Sequence, residues 1–210
     1  MSEIFIEDYI KKITYLEKKI GNKVNYTLLN PSLLQAYDII SIQNSAKQIA
    51  EFVNMKDYIF IVAFSKQKEN VGGHIELKYL GKEVFIEISN KAVKFPEAIL
   101  ATLAHEITHK YIQSNNIAYG TNDYENEVFT DITTIFLGLG KLLLNGCDCQ
   151  TVKFESEQTI TETYKTGYLN KNQIAFVYLL ICFMRNIPAS KYEQGLFPGT
   201  INILNQYKHE

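Results

Sequence analysis

Disulfides, membrane spans and a surplus of charge are all missing from this chain. Its three cysteines, Cys147, Cys149 and Cys182, form no even-numbered disulfide framework. Cys182 falls inside a hydrophobic helical pattern, the ordinary setting of a buried thiol. Cys147-Asp148-Cys149 is a C-x-C pair without the further ligands of a structural zinc site, and it reads as a reduced loop pair. No apolar run approaches the roughly eighteen residues that a membrane span needs, and the longest, around residues 132–144 and 174–184, are broken by polar residues. Glu3, Glu7, Asp8 and several lysines interrupt the first residues, so no signal-peptide core is visible and a soluble, cytoplasmic protein is expected. The net charge is only -2 and Arg185 is the only arginine, so nothing points to nucleic acid or an anionic membrane as partner. No internal repeat, low-complexity segment or interdomain linker appears.

What is present fits one domain over residues 1–210, with 46% hydrophobic residues, long enough to bury a sizeable core. Residues 1–55 read as two N-terminal helices. Ile6, Ile10, Ile13, Leu16 and Ile20 mark the first, closed by Gly21-Asn22; the second runs from about Ser32 to Val53 with Leu33, Leu34, Tyr37, Ile40, Ala46, Ile49 and Val53 as its stripe. Residues 56–92 turn to strand patterns at 58–64, 75–79 and 84–88, with Leu80-Gly81-Lys82 as a tight link. Residues 95–145 carry two further helices, one opened by Pro96 and Glu97 and ended by Ser114-Asn115-Asn116, the other spanning about Tyr124 to Leu144. In the second, Gly138 and Gly140 would permit close packing. Residues 146–170 are polar and weakly periodic, hence a long loop, and Asn170 caps a last helix over about 171–185. The fold class is α+β.

Histidine occurs four times, and two of the four lie in His105-Glu106-Ile107-Thr108-His109. On a helix of 3.6 residues per turn, positions four apart share a face, so both imidazoles can hold one Zn²⁺ while Glu106 reaches a water on the metal and takes its proton. Catalytic zinc takes three protein ligands and keeps one position open. In Asn126-Glu127-Val128-Phe129-Thr130-Asp131, Glu127 and Asp131 also share a helical face. Packed beside the first helix, Glu127 completes the metal site and Asp131 accepts a hydrogen bond from the free ring nitrogen of His105 or His109.

These residues resemble the gluzincin metallopeptidases, the thermolysin-like zinc enzymes, whose pattern is H-E-x-x-H followed on a later helix by N-E-x-x-[ST]-D. His105, Glu106 and His109 match the first part; Asn126, Glu127, Thr130 and Asp131 match the second. The resemblance covers about residues 95–145. It implies a zincin-like fold, a small twisted sheet backing the active-site helix. It also implies one zinc per chain on His105, His109 and Glu127, Glu106 as general base, Asp131 as support, and hydrolysis of peptide bonds in a peptide or protein substrate. In such architectures an edge strand lies along the cleft. Val84 to Asn90 is the candidate, although Glu83, Glu87 and Lys91 also fit an edge protected by charge. Larger relatives place a cationic or phenolic group opposite the metal; Tyr164, Tyr168, Arg185 and His209 are the candidates here, each with an ordinary structural explanation too. Two other readings stand beside the enzyme: a zincin-shaped peptide-binding or regulatory protein without turnover, and a purely structural domain.

Overall fold

The computed structural model describes residues 3–24, 26–66, 72–77, 81–120, 122–155 and 158–208, and it is an α+β fold. Helix α1 (Glu3–Ile20) buries Tyr9, Ile13, Leu16 and Ile20. Ile10, expected in that stripe, faces solvent, because the buried row keeps the helical spacing that starts from Tyr9. Helix α2 (Ile39–Phe52) begins later than expected. The Asp38 carboxylate accepts from Ser41 N at 2.7 Å and the Ser41 hydroxyl accepts from Asp38 N at 3.0 Å, a reciprocal cap that fixes the start. Before it the chain makes a short 3-10 turn at Pro31–Leu33, and Leu33, Tyr37 and Ile40 are exposed rather than buried.

Three strands follow: β1 (Ile59–Ser65), β2 (Gly73–Ile75) and β3 (Glu83–Ser89). β1 pairs parallel and β2 antiparallel with β3, giving the order β1-β3-β2. The expected hairpin of the second and third strands is present, but β2 ends at Ile75; Lys78, Tyr79 and Leu80 of the expected strand and link lie outside the described residues. β3 uses both backbone edges, so the expected edge strand at Val84 to Asn90 is the central one. Among the described residues the edges are β1 and β2.

The sheet and α2 cover one side of helix α3 (Pro96–Ser114), and α4 (Asp123–Thr134) and α5 (Gly140–Gly146) cover the other. Enclosure on all sides explains why α3 carries apolar or small residues round most of its circumference, Ala98, Ala101 and Ala104 among them. The expected single helix over 124–144 is broken between α4 and α5 by a π-helical turn at Ile135–Leu139. Gly138 sits there at φ 90°, and a Cβ on it would overlap the Thr27 carbonyl oxygen. The carbonyls freed by the break are satisfied: Phe136 O accepts from Arg185 Nη1 at 2.7 Å and Gly138 O from Leu29 N at 3.0 Å.

Residues 146–170 are not a loop. They form an antiparallel ribbon of β4 (Asp148–Glu155) and β5 (Gln158–Lys165). Thr159, Thr161 and Thr163 alternate on an exposed face, and a ribbon wetted on both faces shows no apolar periodicity. Its base is held by Lys94 Nζ on Glu162 at 2.8 Å and by Tyr164 stacked on Phe95. Helix α6 (Lys171–Met184) follows with the expected Asn170 cap and with Ile174, Val177, Tyr178 and Ile181 buried. Short helices α7 (Ala189–Tyr192) and α8 (Pro198–Tyr207) complete the chain. Among the described residues no helix is long and apolar enough to cross a membrane.

Candidate metal centre

α3 and α4 lie side by side, and their polar faces meet. His105 Nε2 is 2.9 Å from Glu127 Oε2, His109 Nε2 is 3.1 Å from the same oxygen, and the two Nε2 atoms are 3.0 Å apart. The other ring nitrogens explain why. His105 Nδ1 meets Asp131 Oδ1 at 2.8 Å, and a carboxylate can only accept, so Nδ1 carries the proton and a neutral ring turns its lone pair inward. The Thr130 hydroxyl donates to Asn126 O at 2.9 Å, leaving its oxygen to accept from His109 Nδ1 at 3.4 Å. Both imidazoles therefore present Nε2 lone pairs to one carboxylate oxygen. Three acceptors converging on one point require a cation between them, a proton in the metal-free protein or a metal ion. Among the described residues, His105, His109 and Glu127 are the one group placed to hold a metal.

The electrostatics agree. Burial alone lowers the pKa of His105, but its hydrogen bonds to Asp131 and Glu127 outweigh that and raise it well above the ordinary value. Burial raises the pKa of Glu127, yet the two histidine partners overcome it and bring it down to about 2. Glu106 is also enclosed; burial raises its pKa, opposed by His105 and His109. Asp131 has no exposed surface and does a second job, since its Oδ2 accepts from Tyr168 N at 2.8 Å and Leu169 N at 2.9 Å. The same carboxylate that orients His105 thus holds the turn after β5 against the centre.

A cleft of about 400 Å³ opens over these residues. Its floor is α3; one wall is β2 with His74, the other the segment Lys165–Tyr168. β2 reaches α3 only because residue 73 is glycine: a Cβ there would come within 2.5 Å of Thr102 Cγ2 and 2.9 Å of Glu106 Oε1.

Of the four groups expected opposite the metal, one lines the cleft. Tyr168 lines the cleft with its ring stacked 6.1 Å from that of His105, and burial with nearby carboxylates raises its pKa, keeping the hydroxyl a donor. Tyr164 instead stacks 5.5 Å from Phe95 at the ribbon base. Arg185 is sandwiched between Tyr26 and Phe136, where it serves the broken helix. His209 lies outside the described residues. His74, which the sequence reading passed over, lines the cleft from β2; its only local signal was a histidine beside a Gly-Gly pair ahead of a strand pattern. Cys147 and Cys149 are buried, with thiol pKa values pushed by burial to about 12 and about 11, and among the described residues they take no part in a metal group.

Comparison of the chain with models of known families, with curated proteins and with solved structures finds no match.

Proposed function

We propose that the protein is a zinc-dependent peptidase whose centre is His105, His109 and Glu127. The observation that carries this reading is the meeting of three lone-pair donors with a fourth group, the buried carboxylate of Glu106, in the same cleft. Two imidazoles and one carboxylate are a donor set of catalytic zinc, which keeps a position open for chemistry. The likeness of the two motifs to those of the gluzincins supports the same assignment. A zinc ion held there supplies Lewis acidity, acidifying water and polarising a carbonyl.

The chain's own residues supply the rest. Glu106 takes a proton from the attacking water on its carboxylate and hands it to the departing amine; burial, which raises its pKa, suits it to both halves of that transfer. Asp131 keeps the His105 tautomer fixed. Tyr168 donates its O–H to the carbonyl oxygen as negative charge develops there. The exposed edge of β2 offers main-chain groups to an extended peptide.

The test is hydrolysis of a peptide library read by mass spectrometry, for the wild type and Glu106→Gln, with metal content measured on both. The expected result is cleavage by the wild type, a loss of roughly 10²- to 10⁴-fold in the variant, and unchanged zinc. Full activity in Glu106→Gln would remove the mechanism. Peptide binding without turnover in the wild type would make the protein a zincin-shaped binding module.

A further inference from the structure

The cleft is closed at one end. There the start of β2 and the end of β5 meet over α3: Thr166 Oγ1 is 3.5 Å from Thr102 Oγ1, and a Cβ on Gly72 would come within 2.7 Å of Thr166 Oγ1. Thr102 precedes Glu106 by one helical turn, so the barrier stands roughly 5 Å along α3 from the proton-transfer group. That distance admits about one or two residues of extended chain at roughly 3.3 Å each.

A lysine stands at this end, with Asp148 of β4 as its cross-strand neighbour. Lys165, next to the closing Thr166, lines the cleft, is exposed and forms no ion pair among the described residues. The carboxylates that line the cleft are Glu127, which meets both histidines, and Glu106, on the next turn of α3 from the closed end. The closed end therefore offers an ammonium group that no ion pair among the described residues engages, not even with its neighbour Asp148, which suits an anion. This end receives the C-terminus of a peptide that adds antiparallel to β2, since such a peptide runs toward Gly72.

We infer that Lys165 receives a substrate carboxylate at the closed end, so that the cleft takes peptides by their free C-terminus and releases the last one or two residues. This rests on the peptidase reading above. Water adds across the scissile C–N bond: its oxygen joins the carbonyl carbon to give a new carboxylate on the longer product, and a proton goes to the nitrogen of the released piece. An acidic side chain carries the same chemistry as a terminal carboxylate, and the test separates them.

The probes are four fluorescein-labelled heptapeptide pools, free or amidated at the C-terminus and with or without Asp and Glu. Each is titrated by fluorescence polarisation against zinc-loaded Glu106→Gln protein, alone or with Lys165→Met or Lys165→Arg. The expected result is about tenfold tighter binding of the free-acid pools, the order of one charge-assisted hydrogen bond, lost in Lys165→Met and restored in Lys165→Arg. Equal affinity for free and amidated pools would overturn the inference, as would a free-acid preference that survives Lys165→Met. A preference for Asp and Glu that survives amidation but not Lys165→Met would move the carboxylate to a side chain and overturn C-terminal release. Cleavage of amidated peptides at internal bonds by the wild type would leave the peptidase reading standing without this inference; no binding of any pool would remove both.

Discussion

Asp131→Asn changes one atom type at the most constrained point of the centre. In the native protein Oδ1 accepts from His105 Nδ1 at 2.8 Å, and Oδ2 accepts two main-chain N–H groups, from Tyr168 and Leu169. An asparagine has one acceptor oxygen, and it keeps that oxygen where two donors need it. The amide NH₂ then faces His105 Nδ1, so the ring moves its proton to Nε2, and the lone pair that a metal needs is gone. Loss of such a supporting partner weakens metal binding by about 10- to 100-fold, or roughly 1.4–2.7 kcal/mol at 1.36 kcal/mol per decade. Folding suffers less: neutral replacements for charge-assisted bonds cost about 1–2 kcal/mol, against about 3–5 kcal/mol for Asp131→Ala, which strands three donors, two of them buried. Competition with a chromogenic zinc chelator gives the affinity, and thermal unfolding of the metal-free proteins gives the stability. An Asp131→Asn protein that binds zinc within twofold of the wild type would refute the tautomer argument.

Two further outcomes follow from the same structure. Gly138→Ala forces a side chain into the left-handed region and against the Thr27 carbonyl, so denaturant unfolding should show a loss of about 3 kcal/mol; less than 1 kcal/mol would mean the π-helical turn relaxes freely. The metal-free centre should also have a pH signature. His105 has a raised folded pKa, so its stabilisation is complete below the unfolded value of about 6.5 and is lost as pH rises through the folded one. Glu127 has a lowered one, so its contribution is complete above the unfolded 4.5 and is lost as pH falls toward about 2. Chelator-treated protein should therefore be most stabilised by this pair between those unfolded values, and a melting temperature that climbs steadily from pH 6 to 9 would contradict the assignment.

The centre was legible in the chain because helical spacing is local. Once His105, His109, Glu127 and Asp131 are placed on helices, each pair shares a face by geometry; bringing Glu127 to the histidines, and choosing between His105 and His109 as the partner of Asp131, needed the packing of α3 on α4. Features set by distant contacts were hidden. Which strand is the edge depends on the parallel pairing of β1 with β3, which no stretch of β3 records. The ribbon of β4 and β5 reads as loop because both of its faces are largely wetted, and the start of α2 was masked by apolar residues that the fold leaves exposed. Even so, the Asp38–Ser41 cap was a written signal for that start. Tyr168 reaches the cleft through backbone bonds to Asp131 and His74 through the close approach allowed by Gly73, and neither tie can be seen in spacing.

Two helices bring together one group that could hold a metal, and metal content decides whether the proposed zinc is there. Protein purified without chelator or metal-affinity tag should carry one zinc per chain by elemental mass spectrometry, and folded Glu127→Ala, which loses one of the three candidate ligands, should lose or weakly hold it. Wild-type protein that stays free of zinc after reconstitution, or a Glu127→Ala variant that binds it as tightly as the wild type, would contradict the account.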